Sequence, residues 1–144
     1  MKNKILRINT NDKRVLSSVL SLNENYLFGL NWKLLFIEGT YIDNQTFLFE
    51  KFVNNLEYGH ALSFNEVKAI LDNVNDLWEL LLIGQRDKND AIRKSDDDEN
   101  VFNSSDIVIE YFDSSYWTIA NNNIDFLESV KCELEKDYTV SLFE

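Results

Sequence analysis

The side chains able to do chemistry are few in this 144-residue chain, which has one histidine, His60, and one cysteine, Cys132. Acid–base and metal designs that rest on paired histidines are therefore excluded. So are an intramolecular disulfide and a Cys-rich zinc site. His60 lies in Tyr58-Gly59-His60-Ala61, which reads as a turn between helices. No G-x-S-x-G elbow surrounds any serine, so a serine triad has no frame. Cys132 has Lys131 as a neighbour but no base within sequence reach, and reads as an ordinary helix-face thiol. The four glycines, at 29, 39, 59 and 84, stand too far apart to cradle a phosphate.

Carboxylates are abundant, so the question is whether their spacing selects a chemistry. Asp96-x-Asp98-x-Asn100 opens like a calcium loop, but the sixth and twelfth positions are Val101 and Ile107 where glycine and glutamate are required. Glu66-Val67-Lys68, with Asp43 upstream, matches the short pattern of some metal-dependent nucleases. Glu66 is better explained by Ser63 three residues earlier, the two forming a helix capping box. With 25 Asp+Glu in the chain, some pair falls at glycosidase-like spacing in any fold, so pairing carries no signal. The expectation is a protein that is not an enzyme, with no catalytic set, cofactor or metal.

The placement of charge is more informative than its chemistry. Residues 1–94 hold 12 acids and 12 bases, whereas residues 95–144 hold 13 acids against only Lys131 and Lys136. The whole net charge of −11 thus falls on the last 50 residues. Nucleic acid and anionic membranes need a basic face, so neither is expected as a direct partner; a basic protein is. The densest stretch contains Asp96, Asp97, Asp98, Glu99, Asp106, Glu110 and Asp113 without a base. It reads either as a solvated loop kept polar for solubility or as a partner-binding patch. Tyr116 and Trp117 follow directly, and in an alternating strand one of the two must face outward. An exposed aromatic ringed by acids has the composition of a binding hot spot, which adds both to the candidate partner-binding residues.

Hydrophobic periodicity places these residues on elements. Ile5–Ile8 reads as an edge strand, and Val15, Leu16, Val19 and Leu20 recur at helical spacing within 11–22. Tyr26–Ile37 alternates as a strand ended by Gly39, with Phe28, Leu30, Trp32, Leu34 and Phe36 on one side. Residues 44–57 read as a helix closed by Gly59, and the capping box starts another with Val67, Ile70, Leu71 and Val74 inward. Leu77–Ile83 reads as a buried strand, which with the Tyr26–Ile37 strand makes Trp32 and Trp78 core residues. Residues 85–105 lack any period and read as a long polar loop. Asp106–Phe112 and Tyr116–Ala120 form a hairpin across Asp113-Ser114-Ser115, then Asn121–Asn123 cap a helix, and Tyr138–Phe143 closes as a strand. The fold class is α+β: one domain over 1–144, about four helices, and a mixed or largely antiparallel sheet with a late hairpin. The longest apolar run, Leu80–Ile83, is too short to span a bilayer, and Met1–Arg7 opens no signal-peptide core. With a single cysteine, this leads to an expected cytoplasmic location.

Ile107–Ile119, IVIEYFDSSYWTI, followed by a short amphipathic helix, resembles the C-terminal half of small bacterial immunity proteins. These are encoded beside secreted polymorphic toxins, contact-dependent growth inhibition systems included. A strand, an Asp-Ser-Ser-Tyr-Trp turn, a second strand and a terminal helix recur among them, as does an upstream segment like Ser63–Ile83. The resemblance implies a cytoplasmic, single-domain protein that binds its cognate toxin domain tightly and occludes the active site. Many such toxins are nucleases with basic faces, and an acidic partner imitates phosphate charge and steers encounter. The residues alone leave open another acidic interaction module: an adaptor, an assembly subunit or a DNA-mimic inhibitor. A DNA mimic would spread its acids at phosphate intervals, and the charge-neutral first 94 residues weigh against that form.

Overall fold

Alternating and continuous apolar runs build a seven-stranded sheet in the computed structural model, which describes residues 4–87, 92–93 and 96–143. The strands are β1 (Lys4–Ile8), β2 (Asn31–Tyr41), β3 (His60–Leu62), β4 (Val74–Gln85), β5 (Ile107–Phe112), β6 (Tyr116–Asn121) and β7 (Val140–Phe143). The helical segments are α1 (Arg14–Leu20), α2 (Glu24–Phe28), α3 (Asn44–Asn54), α4 (Phe64–Lys68), α5 (Asp98–Ser104) and α6 (Ile124–Leu134). The strand order is β3-β2-β4-β5-β6-β1-β7, and every pairing is antiparallel. This is a single α+β domain with the late β5–β6 hairpin. Of the six helical segments, α2 and α5 are the two that periodicity missed. Each fully buries a single apolar side chain, Leu27 in α2 and Val101 in α5, so no apolar repeat marks it.

One face of the sheet carries Leu6, Trp32, Leu34, Leu82, Ile109 and Ile119 under Val19 of α1, Leu27 of α2 and Val130 of α6. The opposite face carries a second cluster, Leu35, Ile83, Val108 and Ala120, under Ile92 and Val101 of α5. The described part of the stretch read as a polar loop, 85–105, is thus the second cover of the sheet. Ile92, Val101 and Phe102 are its apolar side chains packed there, and its exposed positions are polar. Residues 88–91, 94 and 95 of that stretch lie outside the described residues.

Other differences have local causes. The strand expected from Tyr26 begins at Asn31, because the Asn23 side chain accepts the Tyr26 N–H and starts α2. That leaves Phe28 on a helix and 68 % exposed. Pairing jumps from Leu34–Leu82 to Phe36–Leu81, so Leu35 is accommodated as a bulge and the inward side changes from even to odd positions. Gly39 continues β2; a Cβ there would lie 2.3 Å from the Asp76 carbonyl oxygen, so the close approach of β4 demands glycine. A second irregularity, between Glu38 and Gly39, skips Trp78 and turns its ring outward, 43 % exposed and not in the core. Ile5–Ile8 lies one strand inside the edge, between β6 and β7.

Strand β3 pairs only with Trp32–Leu34, so the edge of β2 beyond Leu34 would be bare. Helix α3 covers it with side chains in place of a strand. Asn54 donates to the Ile37 carbonyl and accepts the Ile37 N–H, and Glu50 accepts the Gly39 N–H and the Tyr41 hydroxyl. At the other end of the fold, Asp12 joins three segments. It takes the Arg14 guanidinium at 2.7 Å and the Tyr138 hydroxyl at 2.7 Å, while its carbonyl takes the Trp117 indole N–H at 3.0 Å. The Arg14 guanidinium, assisted by the Tyr138 hydroxyl and the Arg14 backbone N–H, holds the Asp12 carboxyl far below the usual carboxylate range against the cost of burial.

Two stability measurements follow. Asn54→Ala leaves both polar groups of Ile37 without their protein partner and is expected to cost about 1–3 kcal/mol by urea unfolding. Asp12 has its pKa lowered on folding, so its contribution is present in full above the ordinary value of 3.8 and is lost as pH falls toward the folded value. Asp12→Ala should therefore cost about 1–3 kcal/mol at neutral pH, with the deficit shrinking steadily under acid. A deficit that does not change with pH would remove the carboxylate from that account.

Candidate functional site

The β5–β6 hairpin is made by its turn. Asp113 and Ser114 both have positive φ, 50° and 55°, the backbone of a turn that matches strand twist; aspartate tolerates it better than most residues. Ser115 N–H donates to the Phe112 carbonyl, and Ser114 N–H reaches across to the Trp78 carbonyl and ties the tip to β4. Alternation then sends Tyr111, Trp117 and Ile119 to the helix-covered face and Glu110, Phe112, Tyr116 and Thr118 to the other.

The expected partner-binding residues separate under this geometry. Trp117 is a correction: it is fully buried, with its ring 4.8 Å from Tyr111, and no partner of the folded domain reaches it. Its indole N–H is satisfied inside by the Asp12 carbonyl. Tyr116 is the outward one, half-buried, with the Arg7 guanidinium 4.1 Å above its ring and Phe112 at 5.6 Å beside it. Asp106 sits just before β5, a strand length of roughly 20 Å from the tip. There it accepts the Arg86 N–H at 2.7 Å and pairs with the Arg86 side chain at 3.8 Å. Asp97 caps α5 by accepting the Asn100 N–H, and Asp96 accepts the Arg93 N–H and the Asn100 amide. Glu99 is exposed on α5, and the side chain of Asp98 lies outside the described residues. Glu110 and Asp113 remain with Tyr116 at the hairpin. The acidic run is thus divided among a helix start, a strand start and a hairpin tip.

What the tertiary structure assembles instead is the half of the second sheet face that no described residue covers. Helix α5 and Ile92 cover the rung of Ile83, Val108 and Ala120. On the next rung lie Phe36, Leu81, Glu110, Thr118 and Arg7. Beyond it, Glu38 stands directly opposite Glu79, and Phe112 directly opposite Tyr116. Leu80 pairs with Tyr111, which puts Glu79 and Phe112 side by side on this rung. Phe112 is 45 % exposed. Shallow cavities flank Glu110: one of about 230 Å³ bounded by Phe36, Glu79, Leu81 and Phe112, the other of about 300 Å³ bounded by Arg7, Phe102, Tyr116 and Phe143. Burial pushes the Glu79 carboxyl up, and the neighbouring charges of Glu38 and Asp113 push it further. Glu38 and Glu79 belong to the charge-neutral part of the sequence, and no local pattern marks them; only strand register brings them together.

The remaining chemical candidates resolve as structure. His60 starts β3, not a helix–helix turn, with its ring edge-on to Phe49 at 5.7 Å and Phe52 at 5.4 Å. Ser63 and Glu66 make the capping box in both directions. Cys132 is exposed on α6. Among the described residues no group of three or more His, Cys, Asp or Glu is placed to hold a metal ion, and no helix is long and apolar enough to cross a membrane. The arrangement is one for binding: rings, carboxylates and a shallow apolar floor on a rigid sheet.

No family model, curated protein or solved structure matches this chain.

The capping role of Asp97 separates its charge from its fold. Asp97→Asn keeps a good cap and should leave stability unchanged, whereas Asp97→Ala should cost about 1 kcal/mol. Thermal unfolding of the two variants side by side checks this. Equal losses would show that the charge itself holds α5.

Proposed function

We propose that this chain is an immunity protein that neutralises a cognate secreted toxin domain, a nuclease, by stoichiometric binding in the cytoplasm. The observation that carries this reading is the half of the second sheet face that no described residue covers, where Phe112 stays exposed beside Glu38, Glu79 and Glu110. Exposed rings on a rigid surface supply contact area at little entropic cost, and flanking acids choose a basic partner and speed its approach. The concentration of charge in residues 95–144 and the resemblance of Ile107–Ile119 to toxin-associated immunity proteins point to the same partner class. A nuclease active face holds phosphates and is basic, so carboxylates set against it both mask it and replace its substrate. Nothing in this role calls for turnover, a cofactor or contact with nucleic acid. Because the acids fall in three separate places, a single shaped partner fits them better than a DNA-like rod does.

The test is co-purification with the product of the gene immediately upstream. A complex that survives moderate salt, together with relief of toxicity on co-expression, is the expected result; failure of both ends the proposal. Within such a complex, Asp96→Asn, Asp97→Asn and Glu99→Gln combined should slow association more than they speed dissociation, since exposed charges act chiefly on encounter. An unchanged association rate would take α5 out of the steering field.

A further inference from the structure

We propose that the Glu38–Glu79 rung and the Phe112 ring beside it are the seat of one cationic side chain of the protein partner, an arginine. The proposal rests on the reading of the chain as a toxin-binding protein only for where that arginine comes from.

Like charges directly opposite on neighbouring strands destabilise a sheet, yet Glu38 and Glu79 occupy such a pair, and Asp113 adds a third negative charge near Glu79. The Glu79 carboxyl is correspondingly raised, first by burial and then by those two neighbours. Two cations of this chain near the same strands already have other work. Arg7 lies over Tyr116 and Phe143, and Lys13 donates to the Val74 and Asn75 carbonyls. An arriving cation therefore gains the attraction of two carboxylates whose mutual repulsion it cancels.

The geometry selects a guanidinium over an ammonium. Directly opposed residues of antiparallel strands stand about 5 Å apart at Cβ, so two carboxylates can be bridged by a planar fork with donors on several edges. Phe112, next along the rung, offers an exposed ring for the flat face of the same group. The fold holds its own guanidinium in this manner on the adjoining surface, where Arg7 lies 4.1 Å from the Tyr116 ring centroid. One face thus has two such positions, and the chain itself fills the one at Tyr116.

The experiment uses the full chain and the peptide acetyl-Gly-Arg-Gly-amide, followed by amide chemical-shift mapping. The expected shifts centre on Glu38, Glu79 and Phe112, are absent with the neutral citrulline analogue, and weaken about fivefold in E38Q/E79Q. Phe112→Leu should weaken binding while leaving the carboxylates in place. Shifts scattered over the acids of α5 and α6, or unchanged affinity in E38Q/E79Q, would overturn the seat; equal affinity for the lysine peptide would overturn the choice of arginine. Without any ligand, Glu79→Gln should raise the melting temperature by about 1–2 °C at neutral pH by relieving the rung. A lower melting temperature would make Glu79 a structural group and end the proposal. The peptide titration needs no toxin, so it stands or falls apart from the immunity reading. Conversely, a toxin bound equally well by E38Q/E79Q would remove the seat and keep that reading.

Discussion

A sheet whose central strands are apolar on both sides has to be covered twice, and this constraint shapes the rest of the molecule. Leu82, Ile83, Gly84 and Gln85 at the end of β4 are all buried, which one layer of helices cannot achieve. The first cover is conventional: α1, α2, α3 and α6 lay their apolar stripes on one face. The second is made by α5 and Ile92, which reach only the rungs nearest the end of β4. Among the described residues, nothing further is laid on the half of the face beyond them.

That incomplete cover links the fold to the proposed role. An open face on the middle of a rigid sheet presents side chains at fixed spacing, and both neighbours of each strand hold its position. Two of the three irregularities in the β2–β4 pairing decide what is presented there. One brings Leu35 and Phe36 to the second face, and the other turns Trp78 outward beside Glu79. Bulges of this kind re-aim side chains at the cost of local regularity. Here they place rings and carboxylates on one surface.

The two ends of the sheet show how the chain protects the rest of its backbone. Along β2, Asn54 and Glu50 stand in for the missing strand, so the edge offers few free groups to another chain. Around β6, Asp12 gathers Arg14, Trp117 and Tyr138, which joins the N-terminal segment to the hairpin and to the residues before β7. The acidic C-terminal part is thereby fastened to the neutral part through β1, which lies between β6 and β7. Charge concentrated in the last 50 residues is in this way carried on the same sheet as the neutral strands, and Glu38 and Glu79 can join it.

Features set by neighbouring residues were legible in the sequence. The Ser63–Glu66 capping box, the turn at Asp113–Ser115, the Asn123 cap of α6 and the α+β class with its late hairpin all follow from local hydrogen bonding and periodicity. The lack of a paired histidine, a second cysteine or a glycine-rich loop was equally plain. Tertiary structure alone decided which strand positions oppose each other. Register depends on bulges and on pairing between distant segments, and a shift of one residue exchanges the faces. That is why Glu38 and Glu79 could not be seen as neighbours, and why Trp78 was expected in the core. Local alternation sets Tyr116 and Trp117 on opposite sides of the strand, and register decides that Trp117 is the one inside.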